Sequence, residues 1–195
     1  KRKKEIDKEY PKTNVNFIPI NKNLVSKVWS NKTTHQQKKF YKLSNKDAGE
    51  SSSNKIKKIS KILNKNKINL QFISSSENIA WLLNLRGADS EFTPMPNSYL
   101  VLDNKNNVHF FCNLKKITKQ LKKNLKNIFI IDIKYIDQFL SEIKNKVVQL
   151  DSLSCSIFFK RIIKKKNVTI EKQDPIYLFK AIKNKVEIKN TIKTH

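Results

Sequence analysis

The spacing of the apolar residues changes along the chain, and each change marks a predicted helix or strand. Residues 47–68, "DAGESSSNKIKKISKILNKNKI", place their apolar residues at helical intervals behind a run of serines that favours an N-cap. The apolar face of this helix is formed by Ile56, Ile59, Ile62 and Leu63. An earlier short helix is predicted over 21–31, and the run "INLQFIS" (68–74) predicts the first buried strand.

Residues 75–103, "SSENIAWLLNLRGADSEFTPMPNSYLVLD", are poor in lysine and contain one of the chain's two glycines. They predict a short helix from Glu77 to Leu83 and a turn at Gly87, where we expect a positive φ. The segment "FTPMP" predicts a loop, because two prolines in three residues exclude regular strand pairing. The strands "SYLVLD" and "NVHFFC" flank the turn "NKN" and predict a β-hairpin.

Helical and strand patterns alternate beyond residue 113. Helices are predicted over 114–125, 135–145 and 156–166, and strands over 127–133, 146–151 and 167–171. Such alternation favours an α/β fold, a mixed sheet flanked by helices whose second half is largely parallel. A proline-marked link and two further helices follow from residue 174.

A formal net charge of +25 raises the question of nucleic-acid binding. All but three of the 41 basic residues are lysine, the exceptions being Arg2, Arg86 and Arg161. Base readout relies on the planar fork of arginine, and the lysines are spread evenly along the chain. We therefore favour a solvated lysine surface, and expect at most weak, non-specific polyanion binding.

Cysteine content and apolar runs indicate the compartment. Cys112 and Cys155 are too few for a disulfide framework or a zinc site, so we interpret them as small buried apolar residues in a reducing cytoplasm. No apolar run approaches the roughly 20 residues that span a bilayer, so no membrane partner is expected. Because the only methionine is Met95, we interpret the chain as a piece of a larger protein.

Candidate catalytic residues are few. His35, His109 and His195 stand in no recognisable relation to the cysteines, which argues against a catalytic thiol. Three carboxylates follow or flank predicted strands, where α/β sheets often carry function: Asp132, Asp137 and Asp151. We favour helix caps and surface charges for them. The sequence contains no phosphate-binding loop and no metalloprotease or serine-hydrolase motif, so we assign no catalytic, cofactor-binding or metal-binding residue.

Three segments carry a resemblance to a known family. They are "DAGESSSNKIKKI" (47–59), "ENIAWLLNLRG" (77–87) with the proline loop and "SYLVL" after it, and "DPIYLFKAIKNKVEI" (174–188). In this order they resemble the aminopeptidase P family, the Xaa-Pro metalloaminopeptidases of the creatinase/prolidase group. The second segment resembles a string of that family's catalytically inert middle domain, and the third resembles the link into its metal-binding domain.

The resemblance implies a domain organisation. Residues 1–46 would be the tail of a preceding domain and a linker, and 47–172 a creatinase N-terminal-like α/β domain. Residues 173–195 would be a linker and the first helix of a truncated metallopeptidase domain of the pita-bread fold.

The resemblance also implies a function. The intact protein would be a cytosolic hydrolase that removes an N-terminal residue preceding proline, using two manganese ions held by two aspartates, a histidine and two glutamates. All five ligands would lie beyond His195, so this chain alone is predicted to be inactive and to hold no cofactor. A peptide substrate is expected only for the intact enzyme, whose oligomeric state is left open, a dimer included. The alternative is a stand-alone peptide- or polyanion-binding module, or a decayed remnant without activity.

Trp81 and Arg86 are the two residues of the lysine-poor stretch whose role the sequence leaves open. We favour Trp81 as an anchor in the core over a substrate contact. Arg86 either pairs with Asp89 or Glu91 across the turn or faces a cleft toward a following domain, and we favour the pair.

Overall fold

The computed structural model describes residues 23–29 and 38–195, and the chain divides into two compact units, Lys1–Gln36 and Gln37–His195. In the first unit, the described part (23–29) of the segment predicted as a helix contains one turn, α1 (Val25–Val28), whose first amide donates to Asn23 Oδ1 at 3.0 Å. The domain boundaries after residues 46 and 172 stay predictions.

The second unit alternates strands and helices. Its strands are β1 (Tyr41–Lys42), β2 (Leu70–Ile73), β3 (Leu85–Arg86), β4 (Ser98–Asp103), β5 (Val108–Cys112), β6 (Ile128–Asp132), β7 (Val147–Leu150) and β8 (Val168–Glu171). Its α-helices are α2 (Asn45–Ala48), α3 (Ser52–Lys65), α4 (Ser76–Leu83), α5 (Lys119–Asn124), α6 (Ile136–Glu142), α7 (Ile157–Lys164), α8 (Ile176–Ala181) and α9 (Lys185–Thr194). Short 3₁₀ turns precede α5 and α6 at Leu114–Lys116 and Ile133–Tyr135. No helix within these described residues is long and apolar enough to cross a membrane.

Six strands form one mixed sheet in the order β6-β5-β4-β2-β7-β8. The hairpin β4–β5 and the pair β2–β4 are antiparallel, whereas β5–β6, β2–β7 and β7–β8 are parallel. The predicted α/β class, the hairpin and the largely parallel second half are confirmed. Both faces of the sheet are covered, which explains why the central strands read as continuous apolar runs.

The core lies in two layers, one on each face of the sheet. Leu100 and Leu102 on β4 pack with α3 and α4, while the intervening Val101 packs with α6 and α7. The first layer includes the fully buried Ile59, Leu63, Ile79 and Leu82. The second is built around Phe72, Phe111, Leu140 and Phe159.

Local capping explains where helices begin and break. The Ser51 hydroxyl accepts the Asn54 amide at 3.2 Å and begins α3, which confirms the predicted serine cap. The helix predicted over 114–125 is interrupted, because the Thr118 hydroxyl accepts the Leu121 amide at 3.0 Å and begins a new helix there.

The small antiparallel pair β1–β3 was not predicted. It forms because Asn84 ends α4 in the left-handed conformation (φ 52°) and directs the chain straight into β3. The predicted positive φ at Gly87 is wrong. A Cβ there would lie 2.9 Å from the backbone of Met95 and Pro96 and from the ring of Phe40, so close packing, not a turn, requires glycine.

Candidate functional site: a groove where three motif segments meet

A groove of about 410 Å³, here called the motif groove, lies where the three segments that carry the resemblance meet. The first segment contributes Asp47, and the second contributes one face of α4 and Arg86. The loop 93–95 forms the rim, and α8 and α9 close the far side with Lys180 and Glu187. Segments far apart in the sequence therefore form one site.

The first and third segments meet at Gly49 and Asn184. Asn184 caps α9, since its Oδ1 accepts the amides of Val186 and Glu187 at 2.9 Å and Glu187 Oε2 accepts the Asn184 amide at 2.8 Å. Its Nδ2 donates to the Ala48 carbonyl at 2.9 Å. Gly49 has φ +72°, and a Cβ on it would collide with the Asn184 amide group.

Trp81 is the aromatic wall of the motif groove. Its indole is half-buried, packs against the core layer of α3 and α4, and stacks on Phe179 of α8 with ring centroids 6.5 Å apart. The Lys55 ammonium lies 4.1 Å from the centre of the indole. The predicted packing role is confirmed, and Trp81 in addition lines the groove.

Beneath the indole lies a buried lysine that sequence reasoning missed. Lys55 is 1% exposed, and its ammonium donates to the Trp81 carbonyl at 3.0 Å and to Asn84 Oδ1 at 2.7 Å. Burial lowers the pKa of Lys55 to about 8, and the more distant Glu187 and Glu50 oppose this shift. Since lysine is almost never fully buried without an acidic partner, the site is unusual. The sequence feature that indicates burial of Lys55 is its position four residues before Ile59, on the predicted apolar face of the helix.

Arg86 does not make the predicted pair. Its Nη1 donates to the carbonyls of Ala80 at 3.2 Å and Leu85 at 2.9 Å, while Asp89 pairs with Lys116. Within the described residues, no carboxylate lies within ion-pair distance of Arg86, Glu91 included. Burial lowers the pKa of Arg86, and Tyr41 and Glu187 oppose this effect. The favoured interpretation was wrong, and Arg86 instead faces the motif groove.

A buried carboxylate fixes the start of α8 beside the groove. Asp174 accepts the side-chain amides of Gln71 and Asn78, both at 2.8 Å, and the Ile176 amide at 2.9 Å. Its own amide donates to Asp151 Oδ2 at 3.0 Å. Burial raises the pKa of Asp174, and the three hydrogen bonds act in the opposite direction. Asp151 thus orders the link to α8, in agreement with a structural role.

Residues 31–187 match the family model described as the creatinase/prolidase N-terminal domain. The chain belongs to this family. Over 156 residues this creatinase/prolidase N-terminal domain protein is 33% identical to Xaa-Pro aminopeptidase 1 of Dictyostelium discoideum, covering 78% of the chain and 24% of the relative. Over 197 residues it is 28% identical to Xaa-Pro aminopeptidase ApepP of Drosophila melanogaster, covering 98% and 32%.

A solved structure shows the same fold. The X-prolyl aminopeptidase of Caenorhabditis elegans, described as a cytosolic enzyme with a di-nuclear active site, superposes with a TM-score of 0.86. The sequences are 20% identical, and the match covers 100% of this chain and 33% of that enzyme. The chain therefore spans about a quarter to a third of the length of these relatives.

The described residues of this creatinase/prolidase N-terminal domain protein do not fit a two-metal centre. Across 23–29 and 38–195, no group of three or more histidines, cysteines, aspartates or glutamates could hold a metal ion. Asp151 and Asp174 are joined through the Asp174 backbone amide, and both accept hydrogen bonds from neutral donors: Asp151 from the Leu153 amide, and Asp174 from the side-chain amides of Gln71 and Asn78. No catalytic step through a metal is assigned to these residues.

The other predicted candidates are separate from the motif groove. Asp132 Oδ1 accepts the Lys134 amide at 3.0 Å and caps the turn before α6, and Asp137 lies exposed in the first turn of that helix. His109 stacks on Phe129 and contacts the tilted ring of Phe139, and burial lowers its pKa. His195 is exposed at the chain end, and His35 lies outside the described residues.

Both thiols are poor nucleophiles. Cys112 is buried as predicted, and Cys155 is half-buried. Burial raises the pKa of Cys112 to about 12 and that of Cys155 to about 11, so both are protonated at neutral pH.

Proposed function

We propose that the chain is a non-catalytic segment of a cytosolic Xaa-Pro aminopeptidase, an enzyme that removes an N-terminal residue preceding proline in a metal-dependent reaction. The similarity to enzymes of that name supports this proposal. The main observation in support of the proposal is that the three motif segments meet in one groove. Their meeting indicates that the three segments share one structural task.

That task is to hold α8 and α9 at a fixed angle to the sheet. Asn184 fixes the start of α9 on Ala48, Phe179 fixes α8 on Trp81, and Asp174 fixes the link between sheet and α8. A metal-binding domain that follows α9 would therefore be held in a defined orientation.

Apolar side chains on these helices and at the C-cap of α8 support a partner domain. Four of them are 47–72% exposed: Leu178, Ile182, Ile188 and Ile192. Four large exposed apolar side chains within residues 178–192 favour an interaction surface there. We propose that the metal-binding domain of the longer protein covers them.

The proposal is tested first on the chain itself. Incubation with a Xaa-Pro dipeptide and Mn²⁺ is expected to give no turnover above buffer, and metal-dependent cleavage would refute the non-catalytic assignment. The transcript beyond the codon of His195 provides an independent test, because the proposal requires two aspartates, a histidine and two glutamates in frame. A stop codon at that point would refute it.

The covering of α8 and α9 has its own test. Ile182→Asp with Ile192→Asp is expected to leave the free energy of unfolding of this chain within about 0.5 kcal/mol, because both side chains are exposed. In the longer protein the same pair is expected to lower activity. An unchanged activity would argue against this surface as the contact with the metal-binding domain.

A second candidate function is polyanion binding by the chain alone, favoured by its net charge of +25. The transcript sequence beyond the codon of His195 also distinguishes this function from the aminopeptidase segment.

A further inference from the structure

A second cavity, of about 560 Å³, lies on another part of the second unit and is here called the basic pocket. Four lysines from the described part of the chain line it, and they come from β1, from α3, from α5 and from the turn before β6: Lys42, Lys57, Lys123 and Lys126. The rest of its polar wall consists of side-chain amides and hydroxyls, such as those of Asn45, Asn106 and Asn127.

The basic pocket differs from the motif groove in its charge balance. The groove brings three cations together with three carboxylates: Arg86, Lys180 and Lys183 with Asp47, Glu77 and Glu187. Among the residues that the structure describes, no carboxylate lines the basic pocket. Both cavities belong to the same lysine-rich chain, so composition alone does not explain the difference. Like charges that converge without compensation attract an anion.

Lys42 shows that this wall is partly ordered. Its side chain is half-buried, and its ammonium donates to the Ser52 hydroxyl at 3.2 Å and to the Asn124 carbonyl at 3.3 Å. Both acceptors are neutral, and an ammonium has three donors. Burial lowers the pKa of Lys42. A charged ligand in the pocket would supply the missing counter-charge.

We propose that the basic pocket binds a compact phosphorylated anion, either inorganic polyphosphate or an organic phosphate ester. Lysine binds phosphate as a point charge, and amide and hydroxyl donors complete its hydrogen bonding. The volume is that of a small-molecule site, and a concave cavity between four segments favours a compact anion over a nucleic-acid duplex. This inference does not depend on the proposed aminopeptidase function.

The test compares two pairs of substitutions that remove equal charge from the same two helices. Lys57→Gln with Lys123→Gln changes the pocket, whereas Lys61→Gln with Lys119→Gln changes exposed lysines of α3 and α5 that do not line it. The complete chain and both variants are titrated calorimetrically with tripolyphosphate at about 0.15 M salt, where dispersed surface charge is largely screened. Thermal melts confirm that both variants fold.

We expect the pocket pair to raise the dissociation constant at least about tenfold, which is about 1.4 kcal/mol, and the control pair less than about twofold, since only the pocket pair removes charge-assisted hydrogen bonds to the ligand. Equal weakening by both pairs, or no saturable binding by the parent chain, would overturn the proposal in favour of dispersed charge. Parallel titrations with orthophosphate and glycerol 3-phosphate identify the source of the phosphate. Tighter binding of the ester indicates an organic ligand, and tighter binding of tripolyphosphate indicates a polyphosphate.

Discussion

Asn184 occupies the space that a side chain on Gly49 would need. The two residues are far apart in the sequence, because all strands of the six-stranded sheet lie between them in the chain. The contact joins α2 to the cap of α9, and the donation from Asn184 Nδ2 to the Ala48 carbonyl fixes its direction. Glycine is required at position 49 both by its positive φ and by this neighbour.

Gly49→Ala is expected to lower the free energy of unfolding by about 2–3 kcal/mol, because alanine is strained in the left-handed conformation and its methyl group would displace the Asn184 helix cap. Asn184→Ala removes the cap and is expected to cost about 1 kcal/mol, but it also makes room for a methyl group at position 49. Urea unfolding of the two single variants and the double variant checks this. The double variant should lose about 1 kcal/mol less than the sum of the singles, and simple additivity would contradict the contact.

Substitutions at Gly87 distinguish close packing from a turn requirement. Because a Cβ would meet the backbone of Met95 and Pro96, Gly87→Ala is expected to destabilise the chain by about 1–3 kcal/mol. Gly87→Asn is expected to cost more, since the larger side chain meets the same atoms. If Gly87→Asn were the milder change, as at positions with a positive φ, the packing explanation would be wrong. Chemical denaturation measures both.

Lys55 predicts a pH dependence of stability with a definite sign. Its pKa is about 8 in the folded chain against an ordinary value of 10.5, so between these pH values the unfolded chain binds a proton that the folded chain has released. The free energy of unfolding contributed by this group therefore rises with pH across that window. At about 1.4 kcal/mol per pKa unit, the gain approaches about 3 kcal/mol by pH 10.5.

The comparison with Lys55→Met isolates this effect, because all other titrating groups are common to both chains. The stability of the parent relative to Lys55→Met should increase from pH 7.5 to 10.5 in guanidinium melts. A constant difference would show that the ammonium is not desolvated. Lys58→Met, on the same helix but paired with Glu50 at the surface, serves as the matched lysine-to-methionine control.

Trp81→Ala is expected to lower the free energy of unfolding by about 3 kcal/mol, because it removes the packing against the core and the stacking on Phe179 and uncovers Lys55. Arg86→Ala should cost only about 1 kcal/mol, since its hydrogen bonds go to two carbonyls at the groove surface. Trp81→Phe keeps an aromatic face for the Lys55 ammonium, so its loss of stability should lie between those of Arg86→Ala and Trp81→Ala. A Trp81→Ala variant as stable as the parent in urea would mean that the indole serves only the groove.

Periodicity was sufficient for the elements that bury a face. The apolar residues of α3, the hairpin β4–β5 and the alternating helices and strands after residue 113 were predicted because burial imposes a repeat of 3.6 or 2 residues. The pair β1–β3 was missed because two-residue strands carry no period. It depends on Asn84, whose left-handed conformation comes with hydrogen bonds to Lys55 and to the Glu50 carbonyl.

The chemistry of the motif groove was less accessible from the sequence. The three motif segments were identified, but their meeting depends on long-range contacts such as Asn184 with Ala48. The predicted ion pair of Arg86 with Asp89 was wrong because Asp89 pairs with Lys116 instead. Lys116 is distant in the sequence, so the local sequence around Arg86 did not indicate this pairing. Lys55 was absent from the candidates because one lysine among so many carries no compositional signal.

The contacts of the chain ends within residues 38–195 have a mechanical consequence. β1 is held to β3 by a two-residue pairing, and α9 is held to α2 by the Asn184 and Asn190 side chains, which donate to the Ala48 and Asp47 carbonyls. A pulling force applied between residues 38 and 195 loads these hydrogen bonds, the donation from the Phe40 amide to the Lys116 carbonyl and the buried Phe40 ring before it reaches the six-stranded sheet. In an optical trap the ends should therefore detach first, and the sheet should rupture later in a separate event.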